Sequence, residues 1–351
     1  MEEKAIKFAA VVLSVLTIFL CILMPKLPKL HTWAVERQED MLAAEEQAEE
    51  KVEMNELEMI DTAATVVNRQ LRLKLPEGVS GAEVSVTNDY VTQTVTIEIP
   101  GTDGSYFENY PLTGSSNHIG NLSYLQLAGE GVIEITMDQV YELEMEYDDS
   151  YYYFDFLTPQ ELYDKVIVID AGHGGRTPGA TKQGVKEKDI DLQIVLQLKE
   201  IFDNSDENIG VYYTRTDDSN PTLDQRVQLA NKSNADLFIS IHNNSTASGR
   251  MSSTSGTQVM YSESDTKELG SKKLAQICLE ELTTGLGSRD KGLVKGDDIY
   301  IIRTSEVPVA LIEVGFMTNK EELELLKSED YQKKAAEAVY ASVLRAFEEG
   351  Y

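Results

Sequence analysis

Two periodicities divide this chain. From Leu71 to Leu157 apolar and polar positions alternate with a period of two: Val84 and Val86, then Val95, Ile97 and Ile99, then Ile133, Ile135 and Met137, and finally Tyr141, Leu143, Met145 and Tyr147. Such alternation marks half-buried antiparallel strands. Turn signals separate the runs at Pro100-Gly101-Thr102-Asp103-Gly104, Gly114-Ser115-Ser116-Asn117 and Gly129-Glu130-Gly131. A small all-β, sandwich-like domain over residues 69–160 is predicted. From Asp164 onward the pattern changes to short apolar runs, at 166–170, 211–215, 237–242, 257–261, 299–302 and 309–314, read as strands. Helical patterns at about 188–204, 223–234, 265–284, 320–327 and 329–348 interleave with them, and Thr222 with Gln225 and Asn319 with Glu322 have capping-box spacing. Alternation of strands and helices predicts an α/β domain over 161–351, with a mostly parallel sheet flanked by helices.

The amino-terminal part follows neither pattern. Phe8 to Met24 is a charge-free apolar stretch of about 17 residues, preceded by Lys4 and Lys7 and followed by Pro25, Lys26 and Lys29. That is the lower limit of a transmembrane helix and longer than the apolar part of most signal peptides, so residues 1–30 read as a single-pass signal anchor in the cytoplasmic membrane, with secretion the outcome if they are cleaved. Residues 31–68, dense in Glu and Ala, read as an acidic helical stalk. The cluster Tyr151-Tyr152-Tyr153-Phe154 suits a carbohydrate-stacking surface, but more ordinarily closes a core or packs against the next domain.

Charge narrows the partners. With 31 Lys and Arg against 60 Asp and Glu the formal net charge is −29, and no basic stripe is present, which argues against a nucleic-acid partner. The two cysteines, Cys21 and Cys278, lie far apart in unlike contexts, which argues against a structural disulfide.

Candidate chemistry gathers at strand ends. His173 follows the run ending at Asp170, His242 follows Leu237–Ile241, and Glu313 follows Val309–Ile312. In open α/β sheets functional groups collect outside the carboxyl ends of the strands, and two histidines with nearby carboxylates suit a metallohydrolase. Each residue has a plainer reading. A lone His at a strand end is usually a hydrogen-bonded structural residue, Glu187 could be a helix-start carboxylate, Glu313 could pair with Arg303, and Gly172, Gly174 and Gly175 could be turn glycines or leave room for a glycan. His31 and His118 occur in no comparable motif and read as surface or local-turn residues.

Four segments in order carry a resemblance: Asp170-Ala-Gly-His173-Gly-Gly with Pro178-Gly-Ala180, Lys186-Glu187-Lys188-Asp189 opening a helix, Ser240-Ile-His242-Asn-Asn, and Leu311-Ile-Glu313-Val-Gly-Phe-Met-Thr-Asn319. Together they resemble the N-acetylmuramoyl-L-alanine amidases of the type 3, zinc-dependent class, over residues 164 to 350. The resemblance implies hydrolysis of the amide between N-acetylmuramic acid and L-alanine of peptidoglycan, in cell-wall remodelling or daughter-cell separation. It implies Zn2+ ligands at His173, Glu187 and His242 and a catalytic carboxylate at Glu313. Ala171 stands where the family usually has Pro, and Asn243 where its motif often has Ala. The β domain loosely resembles the wall-targeting module of such amidases. Because peptidoglycan lies outside the cytoplasmic membrane, an anchored catalytic domain would face outward. A zinc peptidase acting on stem peptides, or an inactive wall-binding scaffold, are the alternatives. In chemical terms, three protein ligands leave zinc one position for a water whose pKa falls towards roughly 7, and a nearby carboxylate can carry its proton to the departing amine.

Overall fold

A computed structural model of the chain describes residues 69–103, 105–127 and 130–351; the expected anchor, the stalk, His31 and Cys21 lie outside them. Among the described residues no helix is long and apolar enough to cross a membrane. These residues fall within one compact unit.

Eight strands open it: β1 (Leu71–Lys74), β2 (Ser85–Asp89), β3 (Thr94–Ile99), β4 (Thr113–Gly114), β5 (Ile119–Leu127), β6 (Glu130–Met137), β7 (Glu142–Tyr147) and β8 (Tyr151–Leu157), with a one-turn helix α1 (Tyr106–Asn109). They form two antiparallel sheets of four strands, ordered β4-β1-β8-β7 and β2-β3-β6-β5, over one shared apolar cluster. The period-two residues Val95, Ile97, Ile99, Ile133, Ile135 and Met137 enter that cluster. So do Tyr152, Phe154 and Phe156 of β8, so the aromatic run closes a core. Its alternate residues turn away, Tyr151 lying under the Arg72 guanidinium and the Tyr153 hydroxyl donating to Asp148 at 2.7 Å.

After α2 (Pro159–Leu162) the sheet-and-helix part begins. Its elements are β9 (Lys165–Ala171), the short hairpin β10 (Thr181–Lys182) and β11 (Val185–Lys186), α3 (Glu187–Asp203), β12 (Ile209–Tyr213), α4 (Leu223–Lys232), β13 (Leu237–Asn244), β14 (Thr257–Tyr261), α5 (Ser271–Leu286), β15 (Asp290–Lys295), α6 (Tyr300–Thr304), β16 (Val309–Phe316), α7 (Lys320–Leu326) and α8 (Glu329–Glu348). The six-stranded sheet runs β12-β9-β13-β16-β14-β15, parallel except where β14 meets β16.

Burial on both faces explains why β9, β13 and β16 are nearly continuous apolar runs up to their carboxyl ends. Ile167, Ile169, Leu237, Ile239, Ala310 and Ile312 point into a core covered by α3, α5, α7 and α8. The alternate residues Val166, Val168, Phe238, Val309 and Leu311 point the other way, against α4, α6 and Val140 of the β part. The four apolar residues from Ile299 to Ile302, expected as a strand, instead cap and begin α6, burying Ile301 and Ile302. One of the two edge strands is β15, which Gly292 and the charges of Asp290, Lys291 and Lys295 hide from an apolar-run reading. Thr222 and Gln225 form the full capping box of α4, whereas at α7 Asn319 accepts from the Glu322 N–H while the Glu322 carboxylate turns to the backbone N–H groups of Phe316 and Gly256.

Candidate metal centre

The carboxyl ends of β9, β13 and β16 converge on one place. β13 and β16 pair in parallel with His242 opposite Glu313, so their side chains leave the same face of the sheet. Ladder register then slips between His242 and Asn244, and the bulge turns the Asn243 N–H to Glu187 Oε1 at 3.1 Å. His173, two residues beyond β9, has a left-handed backbone with φ of 57°. Glu187 opens α3, its Oε2 accepting the Ala180 N–H at 2.7 Å, so the helix start and the preceding loop hold the carboxylate from behind. Gly172 belongs here for space. A Cβ on it would lie 2.3 Å from the His242 ring, so the missing side chain makes room for that histidine and not for a glycan.

Three donor atoms meet at ligand spacing. Glu187 Oε1 lies 3.2 Å from His173 Nε2 and 3.1 Å from His242 Nδ1. A tetrahedral ion with bonds of about 2.0–2.1 Å separates its ligands by roughly 3.3 Å, and the two separations at Glu187 Oε1 are close to that spacing. The donor set of two imidazoles and one carboxylate fits zinc chemistry. Electrostatics agrees: burial works to raise the Glu187 pKa, but the two histidines outweigh it and hold the carboxylate below its usual range. Burial pushes the His242 pKa down, favouring the neutral imidazole that a metal needs.

Glu313, opposite His242, has no ion pair among the described residues. Its Oε2 is sealed from solvent with no hydrogen-bond partner, and burial, with the charge of Glu187 adding to it, raises its pKa well above the carboxylate range. Arg303, its expected alternative partner, donates to the carbonyls of Asp297 and Asp298.

The family model described as N-acetylmuramoyl-L-alanine amidase matches residues 167–345, which contain all four of these residues. The chain belongs to that family. The amidase is 41% identical over 180 residues to the uncharacterized protein YqiI of Bacillus subtilis strain 168, covering 51% of this chain and 84% of that one. To the germination-specific N-acetylmuramoyl-L-alanine amidase of the same strain it is 33% identical over 202 residues, covering 54% and 82%. The crystal structure of N-acetylmuramoyl-L-alanine amidase from Clostridium difficile 630 is 33% identical and covers 53% of this chain and 98% of that one, at a TM-score of 0.49.

The amidase adds a residue that the motifs did not single out. Asp191, fully buried, brings a carboxylate to within 4.8 Å of the donor atoms of His173, Glu187 and His242. It lies one turn after Glu187, so the i,i+4 rule would have placed both on one face of α3. Asn243 joins it to the set, donating its side-chain N–H to Asp191 Oδ1 at 2.7 Å. Burial and the neighbouring charge of Glu187 raise the Asp191 pKa well above the usual range. His118 is far from this chemistry in role, its Nδ1 bonded to the Tyr141 hydroxyl at 2.8 Å.

Proposed function

We propose that this amidase hydrolyses the muramoyl-L-alanine amide of peptidoglycan with a zinc ion held by His173, Glu187 and His242, and with Glu313 as its proton carrier. One observation supports the reading above others: His173 Nε2 and His242 Nδ1 both lie within 3.2 Å of Glu187 Oε1, beside a Glu313 oxygen that nothing else occupies. A bound zinc would supply Lewis acidity to the attacking water and to the scissile carbonyl. The chain's own residues do the rest. Glu313 takes the proton released by the water as the new C–O bond forms, and returns it to the alanine nitrogen as the C–N bond breaks, leaving a lactyl carboxylate and a free stem-peptide amine. Its Oε2 makes no competing hydrogen bond that would have to break when the carboxyl carries a proton. The positive charge of a bound metal would oppose the rise in the Glu313 pKa and favour the ionised, proton-accepting form.

In the same reading, residues 1–30 anchor the chain, the acidic segment 31–68 spaces it from the membrane, and the catalytic part works outside, where its substrate lies. The β part over 69–160 is proposed to assist contact with the wall. Mass analysis of digested peptidoglycan, with and without chelator, tests the chemistry. Free alanine amino groups that appear only with metal are expected. Cleavage confined to peptide bonds would favour a zinc peptidase, and no cleavage by a zinc-loaded protein would favour the scaffold reading.

A further inference from the structure

Basic side chains hold the backbone carbonyls of the loop carrying His173. The Ala171 carbonyl accepts from Arg215 Nε at 2.9 Å and from Arg226 Nη1 at 2.7 Å. The Gly172 carbonyl accepts from Arg215 Nη2 at 2.7 Å, that of His173 from Arg226 Nη2 at 2.6 Å, and that of Gly175 from Lys188 Nζ at 2.8 Å. Gly174 pairs with Thr177 through the backbone. Within this cradle Arg215 is unusual. It is 3% exposed, and its four hydrogen bonds all go to backbone carbonyls, where buried guanidinium groups are ordinarily matched by a carboxylate. One nitrogen, Nη2, spans two segments: it donates at 2.7 Å to Gly172, the residue before His173, and at 3.0 Å to Lys188, the residue after Glu187.

We infer that Arg215 is a positioning residue that fixes the spacing of His173 and Glu187 before metal arrives, an inference that rests on the metal reading above. A rigid planar fork suits this task, because its donors keep their mutual angles while they hold separate carbonyls. His173 needs such support: a left-handed backbone at a non-glycine residue is strained and persists only where its surroundings impose it. Without Arg215 the two ligand-bearing segments lose the guanidinium that clamps both from just beyond β12, leaving the Lys188 bond to the Gly175 carbonyl as a link between them, and the ligand atoms relax apart.

The test compares the full chain with Arg215→Met and with Arg215→Lys, which keeps the charge but not the fork. Zinc affinity is measured by competition with a chromophoric chelator, the visible absorption of the Co2+-loaded protein reports coordination geometry, and melting of the metal-free protein reports folding. Both variants are expected to bind zinc roughly 10–100-fold more weakly, the range for partners behind metal ligands, and to show an altered Co2+ spectrum while still melting cooperatively. If Arg215→Met does not accumulate as folded protein, Arg215→Lys carries the comparison. Wild-type affinity and spectrum in a folded variant would overturn the inference. A wild-type chain that takes up no zinc would overturn the metal reading beneath it, so the two failures are distinguishable.

Discussion

At the scale of single residues the site separates two duties that carboxylates can perform. Glu187 is surrounded by donors, with the Ala180 and Asn243 N–H groups and two imidazoles around it, and its charge is stabilised. Glu313 has a sealed oxygen with no donor and favours its neutral form. The first environment suits a ligand and the second a proton carrier. Glu313→Gln should therefore retain about one zinc while turnover falls by roughly 10²–10⁴, whereas Glu187→Gln should release the metal. Metal analysis paired with turnover decides this, and an unchanged rate in Glu313→Gln would remove its catalytic role.

Among elements, the polar groups that tie strands to helices matter as much as the apolar runs. Asp170 at the end of β9 accepts from Thr214 beyond β12 at 2.6 Å, from Ser240 of β13 at 2.5 Å and from Arg226 of α4 at 2.6 Å. Burial opposes its ionisation, but Arg226 and the two hydroxyls prevail and hold its pKa at about 2. Since an unfolded aspartate titrates near 3.9, the folded state binds this proton less tightly, and the contribution is fully present above about pH 4 and lost as pH falls towards 2. Roughly 2–3 kcal/mol follows from the shift. Denaturant unfolding of wild type and Asp170→Asn should show a gap that is constant from pH 7 to about 4 and narrows below; a gap that stays constant down to pH 2.5 would exclude this coupling. The elements differed in how readable they were. His242 and Glu313 stood out because burial on both faces makes central strands largely apolar runs, so the first polar residue after each is conspicuous, and His173 stood out in the glycine-flanked turn that follows Asp170. Strand β15 and helix α6 did not, because β15 carries Gly292 and three charged residues in its six positions and a five-residue helix has no room to display a period. Asp191 and Arg215 were hidden for another reason: their importance lies in partners far along the chain, Asn243 for one and Gly172 with Lys188 for the other.

For the whole molecule the decisive contacts lie where the β part meets the α/β sheet. Glu142 of β7 accepts from the Tyr90 hydroxyl and from the Tyr212 hydroxyl of β12, each at 2.6 Å, and those two rings meet edge to face with centroids 5.0 Å apart. Val140 is 2% exposed within the cluster formed by Val166, Val168, Phe238 and residues of α4, and its N–H donates to the Lys232 carbonyl at 3.1 Å. The β part therefore covers apolar surface that the sheet would otherwise present to water, and the two parts should unfold together. Val140→Asp places a carboxyl in that cluster with no partner; even in its neutral form an unpaired polar group there costs roughly 2–7 kcal/mol by polar-group transfer, and the cost is relieved only if the parts separate. Calorimetry of the metal-free chain should consequently show one transition for the wild type and two for the variant, the later one belonging to the part with the larger core. A variant that still melts in a single transition would mean that Val140 contributes to packing without coupling the two parts.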